Sequence, residues 1–151
     1  MLAEMPAASI SLNELSRRIG LAKSNVLRYF DSREAILLEL LDAELQEWVA
    51  VLRQRTQHLG HGTADNGDQL AELIAATLAE RPVLCDLVSA QAAVLERNIS
   101  AKTALRHKHA TTESATALTK IFSDAVPELT ESNAQQLVVV VLLTASTAWP
   151  L

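Results

Sequence analysis

Apolar residues recur at three- and four-residue steps over most of the chain, the repeat of one face of an α-helix. The longest run is Ile36, Leu37, Leu40, Leu41, Leu45, Trp48, Val49 and Leu52. It predicts a long helix that starts at a cap on Asp31 or Ser32 and reaches about Arg53. Upstream, Ser11 and Glu14 have the spacing of a capping box, which opens a short helix over 12–19. Gly20 supplies a tight turn, and a second short helix follows over about 23–30. Downstream, Leu70, Leu73, Ile74 and Leu78 share one side of a helix capped by Asp68 that runs through Ala79. Pro82 starts the next, since proline suits a first helical turn, with Val83, Leu84, Leu87, Val88, Val94 and Leu95 as its apolar set. Ser100 caps a helix to about Ala125, Pro127 marks the break after it, and a last helix covers about 131–148. Between the N-terminal third and this helical remainder, 56–67 has no apolar period and holds Gly60, Gly62 and Gly67, which predicts a loop.

Composition supports the same class. Leu and Ala together make up 49 of the 151 residues, while the aromatics are Tyr29, Phe30, Trp48, Phe122 and Trp149 alone. Strong helix formers dominate and strand formers are scarce, so the expected fold is all-α. One cysteine excludes an internal disulfide framework and a cysteine-rich metal site. The N-terminus lacks the basic-then-apolar layout of a signal peptide, and the expected location is cytoplasmic. The longest apolar stretch, 137–149, is 13 residues long and falls short of the 18 or so that span a bilayer. The net charge of −5 averages over unlike regions, because 10–33 carries five basic residues against two acidic ones.

That basic segment coincides with the turn pattern. Leu15 and Ile19 on the first short helix, and Val26 and Tyr29 on the second, can share one small core. Ser16 lets the helices approach, and Leu21 plugs the corner. Two short helices joined in this way form a helix-turn-helix whose second member protrudes and can enter a major groove. That helix presents Lys23, Ser24, Asn25 and Arg28 off its core face: phosphate donors, with Asn and Arg able to pair with adenine and guanine edges. Tyr29 offers a ring to the core and a hydroxyl to a phosphate, and Phe30 is expected in the core. Arg33 lies where the first free N–H groups of the long helix also favour a phosphate.

The segment SLNELSRRIGLAKSNVLRYFDSREAILLELL resembles the second to fourth helices of the tetracycline-repressor (TetR) family of transcriptional regulators, down to the aromatic pair Tyr29-Phe30 followed by Ser32-Arg33-Glu34. The resemblance implies DNA contacts by Lys23, Ser24, Asn25, Arg28, Tyr29 and Arg33. It also implies a homodimer that reads a palindromic operator in double-stranded DNA and a repressor released by a small apolar effector. The expected division is a DNA-binding region with its linking helix over 1–53 and a helical effector-binding and dimerisation domain over 54–151. Against the family's layout, the first helix is expected to be missing or reduced to 1–9, and the C-terminal end to stop short at Trp149-Pro150-Leu151. The other reading is a truncated helical interaction module without effective DNA binding.

No nucleophile, base and orienting residue fall into a catalytic arrangement, so no enzyme is expected, and no cofactor or metal is implied. Cys85 reads as a small buried hydrophobe. His107 and His109 point to different helix faces, His58 and His61 lie in the loop region, and all four read as surface residues. Thr77, Ser89, Gln91 and Thr144 are the polar groups on later apolar helices that an effector pocket could use, or equally backbone-bonded side chains; the sequence assigns no effector-binding set. The stripe 137–143 is either bundle core or dimer seam.

Overall fold

A computed structural model describes residues 6, 9, 11, 13, 17, 28–59, 65–91 and 97–148. Its long elements are α1 (Arg33–Thr56), α2 (Asn66–Ala79), α3 (Pro82–Ala90), α4 (Ala101–Ala125) and α5 (Glu131–Ala148), with no strand among the described residues. The all-α expectation therefore holds. Of the turn motif, Asn13, Arg17, Arg28 and Tyr29 are helical, while Glu14, Gly20, Lys23, Ser24 and Asn25 lie outside the described residues.

Ser32, not Asp31, caps α1: its hydroxyl accepts from the Ala35 amide at 3.1 Å. Asp31 is thereby freed to bond elsewhere. The buried stripe of α1 is Ala35, Leu37, Leu38, Leu41, Leu45, Trp48, Val49 and Leu52. Leu38, absent from the expected set, is buried, whereas Ile36 and Leu40 are only partly so. The difference is a small rotation of the helix, which must face neighbours on more than one side. α1 packs against α2, α3 and α4, and α5 lies over α3 and α4.

α2 begins two residues before the expected cap. Asp65 stands at its N-cap and Asp68 falls in the first turn, where its charge complements the helix dipole instead of capping. Pro82 opens α3 as expected. Ser100 caps α4 through the Thr103 amide at 3.1 Å, two residues after Asn98, whose φ of 56° is left-handed and suits asparagine. Val94, Leu95 and Trp149 lie outside the described residues.

The core is aliphatic with two large aromatics, Trp48 and Phe122, both fully buried. The indole Nε1–H of Trp48 donates to Thr77 Oγ1 at 2.9 Å, and that hydroxyl donates in turn to Leu73 O at 2.7 Å. Arg81 ties the α2–α3 corner to α1 through Glu44 (3.6 Å) and Glu47 (3.4 Å). No helix among the described residues is long and apolar enough to cross a membrane.

Candidate functional site

α1 and α4 run parallel, because their polar pairings advance together: Asp31 with Ser100 and Thr103, Glu39 with Arg106, Asp42 with His107. In each pair α1 or the residue before its cap supplies the carboxylate, and α4 or its cap supplies the donor. The Asp31 carboxylate takes hydrogen bonds from Ser100 Oγ at 2.5 Å and Thr103 Oγ1 at 3.0 Å. These bonds hold its carboxyl below the ordinary 3.8, with the charges of Lys102 and Arg106 adding to them and partial desolvation opposing. Below 3.8 the unfolded chain binds the proton that the folded one still excludes, so this contribution to stability is full above that pH and is lost as the pH falls through the lowered folded value. Asp31→Asn should flatten that acidic limb in urea titrations taken at successive pH values. An unchanged slope would count against the pairing.

His107 corrects the surface expectation. It is 7% exposed, with Nδ1 2.6 Å from Asp42 Oδ1 and Nε2 3.0 Å from Gln91 Nε2. A carboxylate only accepts, so Nδ1 carries the proton, and Nε2 accepts from the Gln91 amide. The helical repeat held a clue, since His107 falls on the stripe of Thr103, Ser114, Leu118 and Ile121 that faces inward along α4. The partner 65 positions away in sequence could not be read from spacing. His58 and His109 are exposed as expected, and His61 lies outside the described residues. Among the described residues, no group of three His, Cys, Asp or Glu could hold a metal.

Gln91 and His107 sit on the wall of a cavity of about 930 Å³ between α4 and α5. Ser100, Ala101 and Ala104 line the end near α1, Thr111 and Ala115 the floor, and Gln135 and Val138 the α5 side. Thr111 Oγ1 is the buried side-chain oxygen among the described residues that has no hydrogen-bond partner. A buried polar group left in that state costs roughly 1–3 kcal/mol. The cavity has the size of a small-molecule pocket, and its lining mixes methyl groups with hydroxyls, amides and the charged Lys108 and Glu131.

The other polar candidates do not line this cavity. Thr77 serves the core through Trp48, Ser89 bonds back to Asp86 O at 2.8 Å, and Thr144 to Val140 O at 2.8 Å. Thr144 faces instead a groove of about 590 Å³ between α2 and α5, lined by aliphatic side chains such as Leu70, Ile74, Leu137 and Val141. Cys85, also on that groove, is buried, and burial raises its thiol, the inert role expected of it. Of the 137–143 stripe, Val138 is in the core, while Val139, Val140 and Leu143 are more than half exposed.

At the other end of α1, Arg28 and Tyr29 are helical and exposed. Tyr29 is 76% exposed, which corrects its expected core role: the ring stands off the body of the protein, and Phe30 beside it is half-buried. Arg33 is 19% exposed and bonds Glu34 through Nε and Nη2 at 3.1 and 2.9 Å.

The family model of the tetracyclin repressor-like C-terminal domain matches residues 42–151. The chain belongs to that family. Its members are transcription regulators, and the matched part of this one runs from the middle of α1 through α5, taking in both the cavity and the groove. Among solved structures, the chain is similar to the fatty acid degradation regulator FadR from Bacillus halodurans, with a TM-score of 0.63 and 15% identity over 99% of this chain and 81% of that one. That likeness shows a shared fold. No curated protein matches the chain. The segment with the turn motif, 12–30, precedes the matched residues.

Proposed function

We propose that this tetracyclin repressor-like protein is a cytoplasmic repressor that reads a palindromic operator in double-stranded DNA as a homodimer and lets go when a small, largely apolar effector fills the α4–α5 cavity. The observation that carries the proposal is continuity. Exposed, helical Arg28 and Tyr29 at the end of the basic segment lead into α1, and α1 packs along its length on the regulator domain.

In this scheme 1–53 reads DNA and links, and 54–151 binds effector and partner. Lys23, Ser24, Asn25, Arg28, Tyr29 and Arg33 contact DNA; for Arg33 a phosphate exchanges with Glu34, its present partner. The cavity suits the effector because it combines apolar walls with Gln91 and the buried Thr111 hydroxyl. The aliphatic groove and the exposed Val139, Val140 and Leu143 adjoin on α5 and suit a two-fold subunit contact. Effector binding favours a bundle arrangement in which the paired recognition helices no longer match successive major grooves, about 34–36 Å apart.

The test is fluorescence anisotropy with a duplex selected from a random pool, at several salt concentrations. Arg28→Ala should weaken binding by about 1–3 kcal/mol and relax base preference, and Lys23→Ala should lower the salt slope by about 1. Parent-like behaviour of both variants would overturn the contact assignment. Binding no tighter than non-specific, in the parent itself, would favour the interaction-module reading.

A further inference from the structure

Given the regulator reading above, we infer that the junction of Asp31 with Ser100 and Thr103 is the coupling element through which occupancy of the α4–α5 cavity reaches the DNA-reading segment. Asp31 lies two residues after Tyr29 and immediately before the Ser32 cap of α1. Its carboxylate is held from 69 and 72 residues away by the hydroxyls of Ser100, the cap of α4, and of Thr103 in the first turn. Ser100 serves both sides at once: its oxygen caps α4 by accepting from the Thr103 amide, and its single proton goes to Asp31. Ser100, Ala101 and Ala104 also line the near end of the cavity. A molecule that presses on this turn therefore moves the atom that Asp31 holds.

The geometry gives that turn freedom to respond. Farther along, the buried Asp42–His107 pair ties α4 to α1. The Asp31 junction beyond it is exposed at the carboxylate and consists of two neutral-donor hydrogen bonds. Coupling between sites needs an element with two discrete arrangements that both sites bias. Here the two are Asp31 bonded to α4 and Asp31 released to water. In the first, the chain leading out of Tyr29 is fixed to the cavity wall; in the second, only the cap of α1 positions it.

A covalent cavity filler stands in for the effector. Ala104→Cys, on the cavity wall, is labelled with N-phenylmaleimide in a full chain that also carries Cys85→Ala. Two measurements are then made with and without Asp31→Ala, and again with Thr103→Val, which removes one donor and keeps the shape. With the junction intact, labelling should weaken selected-duplex binding about tenfold or more, within the usual span of coupling between sites. It should also speed amide hydrogen exchange across 28–36 by about tenfold. In both junction variants these responses should shrink below about twofold. Equal responses with and without the junction would overturn the inference. A parent that binds no duplex, but whose exchange response still depends on Asp31, would overturn the regulator reading and leave the coupling element standing. An exchange response indifferent to Asp31 would do the reverse.

Discussion

Trp48→Ala should cost about 3–5 kcal/mol of stability, the usual penalty for emptying a buried tryptophan site. Trp48 has no exposed surface and lies among Leu45, Leu52 and the other buried residues of the core. Its loss removes transfer free energy, leaves a cavity that helices on several sides cannot all close, and deletes the donor to Thr77. Thr77 itself stays satisfied as a donor, through Leu73 O. Against a total of about 5–15 kcal/mol for an ordinary domain, that is enough to populate the unfolded chain at room temperature. Trp48→Phe keeps most of the volume and loses the N–H, and should cost roughly 1–2 kcal/mol. Urea unfolding followed by far-ultraviolet circular dichroism measures both. A Trp48→Ala protein within about 1 kcal/mol of the parent, well below the usual penalty, would mean that the indole is not packed in solution as it is in this structure.

Asp42→Leu should destabilise the protein by about 2–3 kcal/mol, since it leaves the buried Nδ1–H of His107 without an acceptor. His107→Leu strands a carboxylate that is 14% exposed and should cost a similar amount. Because each single change pays for the other's orphaned group, the double variant should lose less than the sum, by at least about 1 kcal/mol. The comparison is a double-mutant cycle in urea. Strict additivity would show that the two groups do not pair. Gln91 makes a second readout: without His107 its amide loses an acceptor on the cavity wall, so the exchange of its side-chain protons should quicken.

Much of the fold was legible along the chain because helices are governed by local rules. Ser100 and Pro82 act where capping chemistry puts them, since a side chain three residues from a free amide needs no distant partner. The apolar period, the caps and the proline break together located all five long helices. It misplaced Leu38 because a period describes one face, and α1 has neighbours on several. The start of α2 slipped by three residues because Asp65 and Asp68 both suit a helix N-terminus, one at the cap and one in the first turn.

The site divides along the same line. The sequence by itself determined the basic segment, its turn pattern and the place of Arg28 off the core face, all properties of consecutive residues, whereas the exposure of Tyr29 came only with the structure. Only the tertiary structure decided that Asp31 reaches α4 while Ser32 caps α1, that His107 is buried against Asp42, and that Gln91, of four polar candidates, lines the α4–α5 cavity. Each depends on two helices far apart in sequence lying side by side, and hydrophobic burial, which brings them together, is non-directional. The apolar pattern says that α1 and α4 must be covered; the parallel packing of the folded bundle says by what, and so which polar groups meet.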